Sequence, residues 1–567
     1  MTTVPGFRGA FRTDQAARAV YAEGAGIFRI LPAAIAVPSD LDDLVTLVRW
    51  AAASGTPLVP RGAGSGMPGG NVGPGVVVDL TRGFRDAPAV HADTRVADAG
   101  AGVTYRELNA AAAAHGLRLP PDPSSGSFCT LGGMVACNAA GARSLKYGAI
   151  REWVEAIEFV TADGEVGRVG REALPVEGWT SAERRLHRDV APWLRQHQLT
   201  LERAVPRTRK NASGYCLVGQ GDDGWVRHLL VGSEGTLAFI TGVEVRLARL
   251  PDRVTTMLVT LSALAHVAPA VEALRPFEPS ACELLDRTYL EFVRAAAHAS
   301  IPPGTEAVLL VEFEGEAHGA VAEVRPYATS TIVATDPAAV ARLWNVRHLA
   351  SPTLAALADT TRALQVVEDG CVPLHRLGEY IAGLRAIAER HRFGIVIFGH
   401  AGDGHVHANL LADVSRPDLA DAISACLAET SRFQIALGGT LAGEHGDGRL
   451  RAPFVEELLG ATYLEACRRV KAAFDPDGRL NPGVKLPAGP ALGAEALKFG
   501  SRAPAIPADI QQKLRGIEKT AAWDTFRLDL APEFIWIRLV CADFICQFLD
   551  PFNSLIRYSH VYVLNSV

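Results

Sequence analysis

Two short segments flanked by glycines gather histidines and carboxylates that could bind a metal ion. Residues 399–409 read Gly-His-Ala-Gly-Asp-Gly-His-Val-His-Ala-Asn, and residues 443–448 read Gly-Glu-His-Gly-Asp-Gly. Imidazole nitrogens and carboxylate oxygens are the ligands of a zinc-like ion, and the glycines allow turns that bring them together. A single histidine of this kind is more often a hydrogen-bonded core residue, but packing does not explain this concentration. The pattern predicts a divalent metal site, with the candidate residues His400, His405, His407, Glu444 and His445.

A glycine-rich loop at residues 60–66 has the composition of a phosphate-binding turn. It follows a predicted strand that begins at Leu58, and its glycines let several backbone N–H groups converge on one anion such as a diphosphate. A plain tight turn is the alternative interpretation. The loop has neither Gly-Lys-Ser/Thr nor a GxGxxG that opens a helix, so a P-loop and a Rossmann site are disfavoured. The candidate cofactor residues are Pro60, Arg61, Gly62, Ala63, Gly64, Ser65 and Gly66, with Arg61 as a nearby charge.

A proline-rich segment and the small residues that follow it are suited to a large planar ligand. Stacked prolines at 120–123 fix an extended path, and the small residues of 130–141 let a ring system lie against the backbone. A third segment, 232–237, leads into a strand. An irregular loop and a simple turn are the alternatives for these segments. The candidate cofactor residues here are Pro121, Asp122, Pro123, Ser125, Gly132, Gly133, Asn138 and Gly141.

Together these motifs resemble the FAD-linked oxidases with a PCMH or vanillyl-alcohol-oxidase type of FAD-binding domain. Within that family the chain looks most like the D-lactate, glycolate and D-2-hydroxyglutarate dehydrogenase branch, over about 33–247 for the FAD domain and onward to about 487. The resemblance implies that the glycine loop holds the FAD diphosphate, and that the other segments and Ile240 line the rest of the cofactor. Some relatives attach FAD to a histidine in this loop. Ser65 and Gly66 stand there in this chain, so we expect non-covalent FAD.

The resemblance also implies roles for the residues of the two histidine-containing segments. His445 matches the catalytic base and Asn409 a substrate contact. His405 stands where relatives usually carry Asn. Since 405, 407 and 409 point to one side of an extended segment, His405 is either an extra ligand or a partner of the ligands. The implied ligands of the metal, with zinc as the expected ion, are His400, His407 and Glu444.

Three further positions carry expectations from the family. Arg347 matches the arginine that grips the substrate carboxylate, for which a forked guanidinium is well suited, and a surface salt bridge is the alternative. Ser351, one helical turn later, would face the same side and bind substrate. Val367 stands where relatives that take a second carboxylate carry Lys, which disfavours 2-hydroxyglutarate. Asn481, before Pro-Gly, matches the return of the C-terminal segment to the flavin.

The implied activity is oxidation of a D-2-hydroxy acid, such as D-lactate or glycolate, to the 2-keto acid. The carboxylate would bind Arg347, the metal would lower the pKa of the hydroxyl group, His445 would remove its proton, and hydride would pass to FAD. One alternative is a sugar or aldonolactone oxidase on the same FAD domain, which would not need the paired histidines. Another is a flavin or scaffold subunit of a glycolate-oxidase-like complex.

Local patterns predict the elements that must position these residues. An N-cap at Ser39 starts a helix that ends at Gly55, and a capping box starts another at Thr104. Predicted strands include 229–231, 237–247, 257–261, 307–313 and 394–398, and predicted helices include 376–392 and 454–474.

The predicted fold class is α+β. It consists of a PCMH-type FAD-binding domain of two α+β subdomains, a cap with an antiparallel sheet covered by helices, and a C-terminal helical return. The expected divisions are an N-terminal segment 1–32, FAD domain 33–250, cap 251–427, return 428–487, extension 488–531 and a tail of unknown role, 532–567.

Charge and cysteine content restrict the partners. A net charge of −6 over 567 residues argues against nucleic-acid binding. The nine cysteines include no CxxC pair, which favours reduced thiols and argues against an iron–sulfur cluster within this chain. No signal segment or membrane span is predicted, so we expect a cytoplasmic protein, with peripheral attachment at the inner membrane face left open. The electron acceptor is also open among an iron–sulfur subunit, a quinone, a cytochrome, an electron-transfer flavoprotein and O₂, and a homodimer is allowed.

Overall fold

The computed structural model describes residues 3–172, 175–217, 224–293, 301–349, 353–354, 357, 360–488 and 493–531. The predicted substrate residue Ser351 and the tail at 532–567 lie outside the described residues. Residues Met1–Ala531 form one compact unit, so the finer divisions within them stay predictions. Helices and sheets alternate through this unit, which confirms the α+β fold class.

The strands form two small sheets, a short two-stranded ladder and one large antiparallel sheet. In chain order they are β1 Ala10–Arg12, β2 Ala34–Val37, β3 Leu58–Arg61, β4 Val76–Asp79, β5 Ala89–His91, β6 Val96–Gly100, β7 Leu117–Arg118, β8 Val154–Thr161, β9 Val166–Gly170, β10 Ala238–Arg246, β11 Ala248–Arg249, β12 Val254–Leu261, β13 Ala281–Asp286, β14 Ala307–Glu314, β15 Ala328–Ala334, β16 Thr361–Leu364, β17 Gly370–Cys371, β18 Gly394–His400 and β19 His405–Asp413.

The α-helices are α1 Gln15–Val20, α2 Leu41–Ser54, α3 Tyr105–Ala113, α4 Leu131–Cys137, α5 Ser144–Tyr147, α6 Ser181–Arg185, α7 Ala191–Gln196, α8 Gln198–Ala204, α9 Trp225–Leu230, α10 Val267–Leu274, α11 Arg287–Val293, α12 Ala320–Val324, α13 Pro337–His348, α14 Leu377–Arg390, α15 Leu419–Ala436, α16 Gly448–Arg451, α17 Val455–Phe474 and α18 Ala508–Thr520. Within the described residues, every helix is too short or too polar to traverse a lipid bilayer.

The first sheet presents the glycine-rich loop. Its order is β1-β2-β4-β3, with β3 parallel to β4, and the loop leaves the carboxyl end of β3. Helix α2 connects β2 to β3 and ends at Gly55 as predicted, in a left-handed conformation with φ 65°. The predicted N-cap Ser39 is wrong by one residue. Asp40 caps α2 instead by accepting a hydrogen bond from the backbone N–H of Asp43.

The second sheet packs helix α4 beside the glycine-rich loop. Its order is β5-β6-β10-β8-β9, and it is antiparallel throughout. The capping box at Thr104 is confirmed at the start of α3. The predicted strand at 229–231 is wrong, because those residues end helix α9. They are buried in the core, and a short apolar run does not by itself distinguish a buried strand from a buried helix.

The large sheet has the order β15-β12-β14-β13-β18-β19-β16, and β17 also pairs with β19. Every pairing in it is antiparallel, and helices α10, α14 and α15 bury apolar faces against one side. The predicted strands at 257–261, 307–313 and 394–398 all lie in this sheet, and the predicted helix at 376–392 is α14, so these predictions are confirmed.

The C-terminal segment returns to the glycine-rich loop after helix α17. The backbone of β3 pairs with the segment directly, since Leu58 donates to the carbonyl of Arg479 at 2.9 Å and accepts from the N–H of Asn481 at 2.8 Å. This contact joins residues more than 400 positions apart and fixes the loop from behind.

Candidate active site

The hairpin of β18 and β19 brings the histidines together. His400 ends β18, a turn at Ala401–Asp403 follows, and His405 begins β19 directly opposite His400. Because side chains alternate along a strand, 405, 407 and 409 share one face of β19, as predicted. Gly399 is required where β18 pairs with β19, because a Cβ atom at residue 399 would lie 2.6 Å from the Cα of Val406.

Three ligand atoms converge in the geometry of a metal site. The Nε2 atoms of His400 and His407 are 3.2 Å apart, and each lies 3.3 Å from Oε1 of Glu444. Two atoms bonded to one tetrahedral zinc at about 2.0–2.1 Å lie about 3.3–3.4 Å apart. All three side chains are buried. The residues therefore fit a zinc-like ion, and the two histidines and the glutamate predicted as its ligands are brought together.

The opposite nitrogens of both histidines are held by oxygen acceptors. His400 donates from Nδ1 to Oε1 of Glu283 at 2.5 Å, and His407 donates from Nδ1 to the carbonyl of Glu368 at 3.0 Å. These bonds place the Nε2 lone pairs toward the shared point, as the outer partners of metal-bound histidines commonly do. Burial by itself lowers the pKa of His400, but Glu283 and Glu444 together outweigh it and raise the pKa to about 9. The cluster therefore favours a cation, whether a proton or a metal.

His405 is engaged at both ring nitrogens. The ammonium group of Lys210 can only donate, so Nδ1 accepts from it at 3.4 Å and Nε2 donates to Asp369 Oδ1 at 2.9 Å. Burial lowers the pKa of His405 well below its usual value, and Lys210 lowers it further. A neutral imidazole with both nitrogens occupied has no lone pair left for a metal. This arrangement favours a partner of the ligands over an additional ligand.

His445 lies against the same cluster and is oriented by a carboxylate. It donates from Nδ1 to Oε2 of Glu368 at 2.6 Å, and its Nε2 lies 3.7 Å from Oε1 of Glu444. Arg451 forms an ion pair with the other oxygen of Glu368. Burial by itself lowers the pKa of His445, but Glu368 and Asp369 outweigh it and raise the pKa to about 10. A divalent ion nearby would oppose this rise, since like charges disfavour the protonated form.

Arg347 is joined to the cluster through Glu283. Its Nε donates to Oε2 of Glu283 at 2.9 Å, while the other oxygen of Glu283 binds His400. The guanidinium group lies over the ring of Phe398 at 4.5 Å, and among the described residues its remaining N–H groups meet no hydrogen-bond acceptor. Asn409 is buried and accepts a long hydrogen bond of 3.4 Å from Gln365. The guanidinium group of Arg347 is therefore held at Nε by Glu283, while its two NH₂ groups have no hydrogen-bond acceptor among the described residues.

One cleft runs from the glycine-rich loop to Glu444 and His445, and its described lining does not include His400, His407, Arg347 or Asn409. It encloses about 1350 Å³, part of it open to solvent, and its lining includes both Glu444 and His445. Twelve of the predicted cofactor residues line it: Pro60, Arg61, Gly62, Ala63, Gly64, Ser65, Gly66, Pro123, Ser125, Gly132, Gly133 and Ile240.

Comparison with known proteins assigns both parts of the chain. Residues 32–170 match the model described as "FAD binding domain", and residues 250–484 match the one described as "FAD linked oxidases, C-terminal domain". A D-lactate dehydrogenase of Archaeoglobus fulgidus is 31% identical over 79% of this chain and 89% of its own length.

The chain belongs to the FAD-linked oxidases.

Two further relatives of this FAD-linked oxidase are also named as an oxidase or a dehydrogenase, and a solved structure shares the fold. The glycolate oxidase subunit GlcD of Bacillus subtilis is 29% identical over 83% of this chain and 93% of its own length. A D-2-hydroxyglutarate dehydrogenase of Pseudomonas putida is 30% identical over 86% of this chain but only 52% of its own length. A solved alkyldihydroxyacetonephosphate synthase shares the fold, with a TM-score of 0.57 at 17% identity over 85% of this chain and 83% of that one.

The remaining predicted cofactor residues of this FAD-linked oxidase are not among those that line the cleft. Asp122 forms an ion pair with Arg143, and a Cβ at Gly141 would lie 2.2 Å from the carbonyl oxygen of Asp122, so these residues shape the loop. Asn138 ends helix α4 in a left-handed conformation with φ 54°. The five predicted cofactor residues outside the lining are Pro121, Asp122, Asn138, Gly141 and Asn481.

Arg61 and Asn481 fix the loop and the C-terminal return by binding backbone. The guanidinium group of Arg61 donates to the carbonyls of Tyr21 and Glu23 at 3.2 and 2.8 Å. The side-chain amide of Asn481 donates to the carbonyls of Gly70 and Glu234 at 2.7 and 2.9 Å. Arg61 thus holds the loop from behind instead of offering its fork to an anion.

Several residues that hold the site were not predicted from the sequence. Glu283 had a signal, because a single carboxylate in the otherwise apolar start of β13 is unusual in a buried strand. The sequence gives no comparable signal for Lys210 and Arg451, because they reach the cluster from distant parts of the chain. Gln365 likewise becomes visible only when β16 is placed beside β19.

Proposed function

We propose that this protein is an FAD-dependent oxidoreductase that oxidises a D-2-hydroxy acid, such as D-lactate or glycolate, to the 2-keto acid. The observation that carries the proposal is the single cleft that runs from the glycine-rich loop to Glu444 and His445. It would bring a flavin at one end within reach of a metal cluster and a base at the other. Relatives named D-lactate dehydrogenase and glycolate oxidase support the substrate class.

The chain's own residues would bind the substrate and move its proton. Arg347 would grip the carboxylate through the free edge of its guanidinium, which Glu283 keeps in a fixed plane. With a divalent ion opposing its raised pKa, neutral His445 would accept the hydroxyl proton at Nε2, because Glu368 occupies Nδ1 and fixes the tautomer. Asn409 would supply a polar contact from the neighbouring strand.

Two bound groups would supply the remaining chemistry. FAD, when bound, accepts the hydride equivalent from the 2-carbon of the substrate. A divalent ion, which we expect to be zinc, lowers the pKa of the substrate hydroxyl when His400, His407 and Glu444 hold it.

Reduction of the flavin by substrate is the direct test. The purified yellow protein, kept without oxygen, should lose the visible absorption of oxidised flavin when mixed with a D-2-hydroxy acid and should keep it with the L-enantiomer. Glycolate, D-lactate and D-2-hydroxyglutarate should be compared in one panel. Bleaching by a sugar or an aldonolactone alone would favour the alternative oxidase, and bleaching by no member of the panel would contradict the proposal.

Removal of the Arg347 fork should weaken substrate binding more than turnover. A hydrogen bond to a charged group contributes about 1.5–3 kcal/mol, so Arg347→Met should raise KM by about 10–150-fold. The matched control is Arg385→Met, because Arg385 pairs with Asp286 and Glu306 on the same sheet. Steady-state kinetics of both variants check the prediction, and an unchanged KM in Arg347→Met would contradict the role of Arg347.

The electron acceptor would be a separate molecule. Nothing in the cysteine pattern supports a cluster within this chain, and one relative is named as a subunit of a glycolate oxidase. We propose a protein or quinone partner, which includes an iron–sulfur subunit, a cytochrome or an electron-transfer flavoprotein, and a cytoplasmic location that allows contact with the inner membrane face.

A further inference from the structure

Lys210 places an ammonium group directly behind the proposed metal site. Its side chain is only 4% exposed, and Nζ lies 2.9 Å from Oε2 of Glu444, 3.4 Å from Nδ1 of His405 and 3.6 Å from Oδ2 of Asp403. Three acceptors therefore surround its three N–H groups. A buried charge is costly unless it is fully paired, as this one is.

The two oxygens of Glu444 face different partners. Oε1 points to the Nε2 atoms of His400 and His407, at 3.3 Å from each. Oε2 points away from both and receives the hydrogen bond of Lys210. The backbone N–H of Glu444 is held in addition by Asp369 at 3.1 Å. The carboxylate plane is therefore fixed so that one oxygen meets the ligand point and the other does not.

The lysine is itself fixed by two anchored acceptors. Asp403 accepts a hydrogen bond from the hydroxyl group of Ser144 at 2.6 Å and cannot swing away. His405 is held on its far side by Asp369. A chain from Asp369 through His405 and Lys210 thus ends on Oε2 of Glu444, and this arrangement gives a specific use to the histidine at 405.

We infer that Lys210 is a positioning residue that keeps Glu444 bound to the metal through one oxygen, so that room beside the ion stays open for the substrate hydroxyl. The inference rests on the proposed function for the identity of the substrate. A catalytic zinc site has three protein ligands and an open position, and a carboxylate free at both oxygens can occupy two positions.

A positioning role for Lys210 predicts an effect on metal affinity that differs from the effect of a purely structural contact. A cation close to the ion opposes metal binding, so an enzyme built for affinity alone would not place one there. Loss of the ammonium group should leave the zinc Kd unchanged or lower. The substrate should bind less well, because Glu444 could then occupy the position beside the ion that the substrate hydroxyl needs. Loss of a purely structural partner should instead weaken metal binding by about 10–100-fold.

Lys210→Met, which removes the charge but keeps the length of the side chain, tests the inference on the FAD-loaded protein. Competition with a chelator gives the zinc Kd, and anaerobic flavin reduction gives the dependence on substrate concentration. We expect a zinc Kd that does not rise, together with a fall in kcat/KM of about 10–100-fold that is carried mainly by KM. A raised zinc Kd, or unchanged kinetics, would overturn the inference.

Two further variants keep the test decisive. Lys498→Met is the matched control, because Lys498 is a largely buried lysine paired with Glu518 in the C-terminal extension, away from the cluster and the cleft, and it should change neither zinc Kd nor KM. If Lys210→Met does not fold, Lys210→Met/Asp403→Asn removes the charges of both partners and carries the same two readouts. The zinc comparison needs no substrate, so it stands even if no hydroxy acid reduces the wild-type flavin, a result that would contradict the proposed function alone.

Discussion

His407→Ala should retain FAD but lose zinc and almost all reduction of the flavin by substrate. His407 supplies one of three converging ligand atoms, and the two that remain leave an ion held mainly by water. A metal that polarises the reacting oxygen contributes several kcal/mol, and each 1.36 kcal/mol is tenfold in rate. The expected loss is therefore about 10³-fold or more. Metal analysis and anaerobic stopped-flow spectroscopy on the same sample measure both effects.

Chelation of the wild type gives the same result without a mutation. Treatment with EDTA should slow flavin reduction while the protein stays yellow, and added zinc should restore the rate. For the variant His407→Ala, the matched control is His391→Gln, because His391 pairs with Glu429 at 2.7 Å in the same part of the chain but away from the cluster. Full activity in a zinc-free sample would show that the cluster has another purpose.

Local patterns were enough for the elements that present the site. Helix α14 and strand β18 follow from periodicity and from the glycines at their ends. The wrong elements failed for stated physical reasons. The run at 229–231 is buried, and burial suits either a strand or a helix. At the start of α2 two neighbouring polar residues, Ser39 and Asp40, are both of a type that caps helices, and it is Asp40 that accepts the bond from the N–H of Asp43.

The site was predictable where its residues are close in sequence and unpredictable where they are not. His400 and His407 share a hairpin, so their meeting follows from the glycine turn between them. Glu283 reaches them from a strand more than 100 residues away, and nothing in the sequence around it says that β13 will lie beside β18. Family resemblance supplied Glu444, but only the fold shows that Glu283 joins His400 to Arg347.

Arg61 illustrates a different limit. An arginine beside a phosphate-binding loop is naturally expected to meet the phosphate. The fold uses it instead to hold backbone carbonyls, because the loop needs support from behind and a buried guanidinium group satisfies several acceptors at once. Residue type and position therefore predicted a loop that lines the cleft, while its role in holding a cofactor stays a prediction and the contacts of Arg61 follow only from the fold.

His445→Ala should stay yellow, keep its zinc and reduce its flavin about 10²–10⁴-fold more slowly, the range expected for loss of a general base. The geometry gives this residue one free nitrogen, since Glu368 holds Nδ1 and Nε2 faces the cluster. Pre-steady-state flavin reduction under anaerobic conditions measures the effect, with bound FAD and zinc determined on the same sample.

Added imidazole distinguishes a missing base from a damaged site. Imidazole in solution can enter the space left by the side chain and accept the proton, so it should restore part of the rate in His445→Ala without a change in zinc content, whereas in His407→Ala, where imidazole could replace a metal ligand, any recovery should require added zinc. Glu368→Gln should lie between the wild type and His445→Ala, because an amide can still accept the Nδ1–H but no longer stabilises the imidazolium that forms. A normal rate in His445→Ala would move the base to another group. The neighbours of Nε2 in this cluster are metal ligands, which a bound ion would occupy, so the proton would then have to leave through solvent.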